Sequence, residues 1–166
     1  DHLPELFSDA ETDADTAQRV RGDYRHTVAE LLLEDFTASW VAWSHGRGAL
    51  ARNEAHGSPG NLLDLYAASD IPETEAFGTT WLENVGLAPL EGRPRLYGSE
   101  ADPLFSKLAS SAAHAAGRSL VSSESCTWLG DHFKVPLEHA KAALDQLFLT
   151  GVNHVFYHGM AFSPQS

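Results

Sequence analysis

Helical and extended periodicities take turns along this chain, and that alternation limits the fold more than any other feature of the sequence. From about Asp15 to His45, apolar residues recur at helical spacing (Val20, Tyr24, Val28, Leu31, Leu32, Phe36, Trp40, Trp43) and predict one long helix or two consecutive ones. Gly46-Arg47-Gly48 supplies the stop, and Ala49–Glu54 reads as a short strand. A short helix is expected around Asn61–Ala68. Asp70–Glu75 follows as an extended piece or turn, in which Pro72 keeps Ile71 out of helical geometry. Residues 78–101 are rich in Gly and Pro without a clear period and read as loop. Asp102-Pro103 opens a helix that ends at Gly117, with Asp as N-cap and Pro at the first position. Leu120–Glu124 is a buried-type strand, Pro136–Leu149 a helix closed by Gly151, and Val152–Tyr157 a last strand. Helices and strands in alternation imply parallel strands covered by helices. Three of the strands are convincing, too few to close a barrel by themselves.

The chain has 166 residues, the size of one domain, and residues 1–13 are acidic and aperiodic. Its ends look cut, so the expectation is a single partial domain, 1–166, within a larger polypeptide. With 43% apolar and 20% charged residues it can bury a core, which excludes disordered, collagen-like and coiled-coil readings. Eleven Lys and Arg against 23 Asp and Glu give a net charge of −12. No basic cluster offers a footprint for nucleic acid or an anionic membrane, so neither is expected as a partner. A single cysteine, Cys126, excludes an internal disulfide and a cysteine-based zinc site. No apolar run is long enough to span a membrane, and no signal peptide is visible in the chain.

Chemistry in an α/β barrel sits where the chain leaves the C-terminal ends of the strands. Three expected strand ends are unusually polar: Arg52-Asn53-Glu54-Ala55-His56, Ser122-Ser123-Glu124-Ser125 and Tyr157-His158-Gly159. Glu73 and Glu75 are two residues apart, which on an extended segment puts both on one face. Carboxylates converging on one mouth suit glycoside hydrolysis, which needs an acid and a base or nucleophile. They equally suit a hard cation such as calcium, which takes six to eight oxygen ligands. Trp81, Trp128 and the Trp40/Trp43 pair read as core, with stacking on a sugar the alternative for Trp128, just past Glu124. His154 and His158 lie about 13 Å apart along a strand, too far to share one metal. Zinc-protease, nucleophile-elbow, P-loop and dinucleotide motifs are all absent.

Four blocks carry a resemblance. Arg52–Pro59 with Asn61–Ala67, Asp70–Glu75, Ser122–Gly130 and Gly151–Gly159 resemble, in that order, the catalytic region of α-L-rhamnosidases of glycoside hydrolase family 106. The resemblance runs from about residue 20 to the end. It implies an α/β fold, a portion of a (β/α)8 TIM-type barrel with parallel strands and flanking helices, set inside a longer multidomain enzyme. The implied reaction is calcium-assisted hydrolysis, with inversion, of terminal α-L-rhamnosyl residues from plant polysaccharides or glycosides. Carried over by motif, Glu75 is the general acid, Glu124 the general base, and Glu73 a calcium ligand or a holder of its neighbours. Asn53, His56, His158 and Trp128 become substrate-binding or supporting groups. At Glu54 the family pattern leads one to expect Gln, which leaves the ligand set open. An extracellular or periplasmic location is implied by polymeric substrates. The alternatives are a retaining glycosidase of other specificity and a non-catalytic sugar-binding or scaffold half-barrel. On any of these readings the isolated chain is expected to be inactive.

Overall fold

A computed structural model describes residues 3–7, 14–77, 86–87, 103–127 and 135–159. A short 3-10 helix at Leu3–Leu6 precedes helix α1 (Ala14–Leu31), which runs through a π-helical segment (Leu32–Ala38) into α2 (Ser39–His45). Strand β1 (Arg52–Glu54), α3 (Leu62–Ala68), β2 (Ile71–Phe77), α4 (Pro103–Ala115), β3 (Ser122–Thr127), α5 (Leu137–Leu149) and β4 (His154–Tyr157) follow. The strands form one sheet in the order β1-β2-β3-β4, and every pairing is parallel. A doubly wound sheet reverses its order at a switch point. These four strands instead add successively on one side, as consecutive units of a barrel do.

The two faces of the sheet differ sharply. One is covered by α3, α4 and α5, whose Leu65, Tyr66, Ala109, Ala112, Ala113 and Leu147 pack with Ala55, Val121 and Val152 into the main core. The other carries Arg52, Glu54, Glu73, Glu75, Ser122, Glu124 and Phe156, which register pairing aligns across the strands. This polar face is concave. Arg52 on β1 places its guanidinium carbon 3.7 Å from the ring centroid of Phe156 on β4. In a flat sheet those strands would stand about 14 Å apart, three spacings of ~4.8 Å.

The entrances to the strands are clamped by side chains. Asp70 accepts the Ala51 N–H and pairs with His45 Nε2, both at 2.8 Å, tying the starts of β1 and β2 to the end of α2. Asn153 accepts the Val121 N–H at 2.9 Å and donates to the Ser119 carbonyl at 2.8 Å, doing the same for β3 and β4. Asn61 caps α3 by accepting the Leu63 N–H at 3.1 Å. After α5 the chain turns at Gly151, whose φ of +100° lies in the left-handed region.

Two expectations change. The extended piece at Asp70–Glu75 is a full strand of seven residues, pairing with a neighbour on each side, so there are four strands and not three. Pro, Glu and Thr conceal it, because the usual strand signal is an apolar or β-branched run; Pro72 is tolerated near the strand start. The helix expected over Asp15–His45 is present, yet its apolar stripe is only partly buried: Val20, Val28, Leu32 and Trp40 are half-buried, and Leu32 packs against the core. Tyr24, Leu31, Phe36 and Trp43 are each more than half exposed, while Ala17, Thr37, Val41 and Ser44 are buried. The π segment, with its i→i+5 bonds, rotates the second half of the helix out of the phase that a 3.6-residue period assumes. Trp43 is therefore a surface residue, capped by the Arg47 guanidinium 3.9 Å from its ring centroid. The loop expected over 78–101 and Trp81 lie outside the described residues, apart from Gly86 and Leu87.

Candidate active site

Because all four strands are parallel, their C-terminal ends open at one rim of the concave face. β1 delivers Glu54 there and, two residues on, His56; Ala55 between them is in the core. β2 delivers Glu75, and β3 places Glu124 as its direct register partner. The turn after β4 brings His158. Across the sheet the groups therefore stand in strand order as imidazole, carboxylate, carboxylate, imidazole.

Each carboxylate of the central pair has its own histidine. His56 Nε2 lies 3.3 Å from Glu75 Oε2 and 3.2 Å from Glu54 Oε1, so one ring nitrogen bridges two carboxyl groups. His158 Nδ1 lies 2.5 Å from Glu124 Oε1. The His158 turn is itself pinned, its backbone N–H donating to the Ser125 carbonyl at 2.9 Å. Potential ligand atoms of Glu75, Glu124 and His158 all lie within 4.8 Å of one another, as do those of Glu54, His56 and Glu75. Glu75 belongs to both groups and is the centre of the site.

The electrostatics sort the carboxyls. Burial, reinforced by the charges of Glu75, Glu124 and Glu73, pushes Glu54 up from 4.5 to about 7 against the opposing pull of His56. Glu75 moves the other way. Its hydrogen bond with His56 holds it below the usual carboxylate range against burial, with further help from Thr127 and Glu54. His56 is raised, first by its bond to Glu75, opposed by burial and supported by the surrounding carboxylates. The resting site is therefore biased toward an ionised Glu75 beside His56 and Glu54, both of which hold a proton more tightly than usual. A general acid at Glu75 calls for the opposite bias in the resting site, so its proton would have to come from these two neighbours.

The expected site residues divide clearly. Glu75, Glu124, His56 and His158 are brought together. Glu73 lies on the same face one step deeper, where its buried carboxylate accepts from Ser122 Oγ at 2.6 Å and pairs with Arg52 Nε at 3.3 Å. It stands outside both carboxylate–histidine groups. Asn53 alternates with Arg52 and Glu54 and so occupies the helix-covered side of β1. Trp128 lies outside the described residues. Glu54, part of the polar end of β1 and a departure from the family pattern, is a full member of the cluster. Its spacing of two from His56 on an extended segment was the available signal. Arg52 and Phe156 were not singled out, and only the curvature of the sheet brings them together.

The model of the α-L-rhamnosidase family matches residues 1–166, the whole chain. The chain belongs to glycoside hydrolase family 106. Among solved structures, a rhamnosidase from Novosphingobium sp. PP1Y is similar with a TM-score of 0.67 at 23% identity, over 89% of this chain. That likeness supports the α/β architecture. The family 106 chain spans 13% of the length of that rhamnosidase chain. No curated protein matches the sequence.

Proposed function

We propose that the protein containing this chain is an α-L-rhamnosidase and that the rim of the concave face is its catalytic centre. The observation that carries the proposal is the Glu75–Glu124 pair, in register on adjacent strands, each carboxylate with a histidine partner, in a chain of this family. Its substrates are terminal α-L-rhamnosyl residues of plant polysaccharides or glycosides, with no nucleic acid or membrane partner, and it works outside the cytoplasm. No helix among the described residues is long and apolar enough to cross a membrane. The remainder of the polypeptide supplies the rest of the barrel.

In this proposal Glu75 protonates the leaving oxygen, drawing on the proton that His56 and Glu54 hold beside it. Glu124, oriented by His158, deprotonates the attacking water, and the product is released with inversion. Inversion needs carboxyls about 6.5–9.5 Å apart. Bound sugar must therefore part the pair by about 2 Å or more from its resting approach of at most 4.8 Å, within reach of glutamate rotamer changes. That short approach favours a second reading, retention, for which about 5–5.5 Å is usual and one glutamate is the nucleophile.

Calcium is part of the proposal. Two oxygens each 2.3–2.6 Å from one ion stand at most about 5 Å apart. The carboxylates of Glu75 and Glu124 fit that limit; the imidazoles suit a softer metal better. Glu75 and Glu124 would both hold the ion only at their resting approach; parted for inversion, one of them at most would keep it, with Glu73 remaining with Arg52 and Ser122. Calcium there would supply a fixed positive charge that orients sugar hydroxyls. The test is proton NMR of the first sugar released by the full-length enzyme from an aryl α-L-rhamnoside, before and after chelation. Initial β-rhamnose, with activity lost to chelator and restored by calcium, supports the proposal. Initial α-rhamnose establishes retention, and activity indifferent to chelator removes calcium.

A further inference from the structure

We infer that an irregularity in β3 at Ser125–Cys126 turns Thr127 onto the concave face, where its hydroxyl orients the Glu75 carboxylate. Glu73 pairs with Ser122 and Glu75 with Glu124, two steps on each strand. The next pair is Phe77 with Thr127, two steps on β2 but three on β3. One extra residue has been inserted in β3, which is a β-bulge. In an unbroken strand residue 127 would alternate with Glu124 and share the helix-covered side with Ser123 and Ser125. The insertion reverses that parity and gives Thr127 the side that Glu75 and Glu124 occupy.

Three further observations point the same way. Cys126 has a φ of 66°, the only non-glycine residue in the left-handed region among the described residues. Such a conformation persists where surrounding structure enforces it, often beside a functional group. Thr127 is 1% exposed, and its hydroxyl is sealed from solvent without a hydrogen-bond partner. That hydroxyl is nevertheless among the groups that stabilise ionised Glu75. Thr127 is a positioning residue, a role that rests on Glu75 being catalytic as proposed above.

The test uses the full-length enzyme on an aryl α-L-rhamnoside. Thr127→Val keeps the shape and removes the hydroxyl, and is expected to lower kcat about 10- to 100-fold with KM within about threefold, the loss typical of one hydrogen bond to a charged group. Thr127→Ser restores the hydroxyl and is expected to recover kcat to within about threefold of wild type. At the bulge, Cys126→Gly accepts the left-handed conformation and is expected to retain activity, whereas β-branched Cys126→Val is expected to lose kcat as Thr127→Val does. The inference is overturned if Thr127→Val turns over normally, if its loss lies in KM, or if Thr127→Ser is as impaired as Thr127→Val. A wild-type enzyme that does not cleave the rhamnoside overturns the underlying functional proposal and this inference with it. An active wild type with a normal Thr127→Val overturns the inference alone.

Discussion

Replacing Glu54 by Gln is expected to stabilise the protein above pH 7 and to do nothing at pH 4. The carboxyl at position 54 is raised from 4.5 to about 7 by burial and by three neighbouring glutamates. A carboxyl whose folded pKa lies above its unfolded value binds more protons when folded, so its contribution to stability falls as pH rises from about 4.5 to about 7. Two and a half units at 1.36 kcal/mol each give an upper bound of about 3.4 kcal/mol. The Glu54 side chain is 26% exposed and shares a rim with solvent, and screening cuts that figure to about 1–2 kcal/mol. Gln keeps the shape without the ionisation. It also removes one of the charges that raise His56, a loss included in the lower end of the range. In the full-length protein, the melting transition of the domain containing this chain should rise by a few degrees at pH 8 and shift by less than about one degree at pH 4. Equal shifts at both pH values, or a fall at pH 8, would refute the reasoning, because either would mean that Glu54 ionises freely in the folded protein.

Gly151→Ala is expected to cost about 2–4 kcal/mol, measured by thermal or urea unfolding, because φ is +100° and the new Cβ would stand 2.9 Å from Ser110 Cβ. Asp70→Ala removes the acceptor shared by the Ala51 N–H and His45 and should cost about 1.5–3 kcal/mol. Burial raises Asp70, but those bonds and Arg118 outweigh it and hold the carboxyl below 3.8. Its stabilisation is therefore present above pH 4 and lost as pH falls through the lower folded value, a loss that an acid titration of the Asp70→Ala variant should lack. Residues 1–166 expressed alone should show no rhamnoside hydrolysis, since among the described residues β1 and β4 each leave a strand edge unpaired.

Local chemistry was legible in the residues; relations between strands were not. Glu124 was legible as an acid on a buried strand, although the strand runs Ser122–Thr127 and places it inside β3 and not past the end of Leu120–Ser123. Asn61, Gly117 and Gly151 mark their helix boundaries as the rules of caps and stops require. The rank of Glu75 beside Glu124 is set by register, a pairing across 49 positions that no local pattern encodes. The same holds for Arg52 reaching Phe156, which needs the curl of four strands. A one-residue insertion at Cys126 leaves no mark in composition, and a π segment leaves none in an apolar stripe read at a fixed period. Alternation put Glu73 on the face of Glu75, and there its carboxylate holds its neighbours Arg52 and Ser122, one of the two roles expected for it.

The central claim is that Glu75 and Glu124 form the reacting pair of an α-L-rhamnosidase. Turnover of an aryl α-L-rhamnoside by full-length Glu75→Gln and Glu124→Gln, measured beside L-rhamnose affinity by calorimetry, tests it most directly. The account predicts that each variant loses at least about a thousandfold in kcat and binds L-rhamnose within about threefold of wild type. Turnover near the wild-type rate in either variant would contradict it and remove that glutamate from the chemistry.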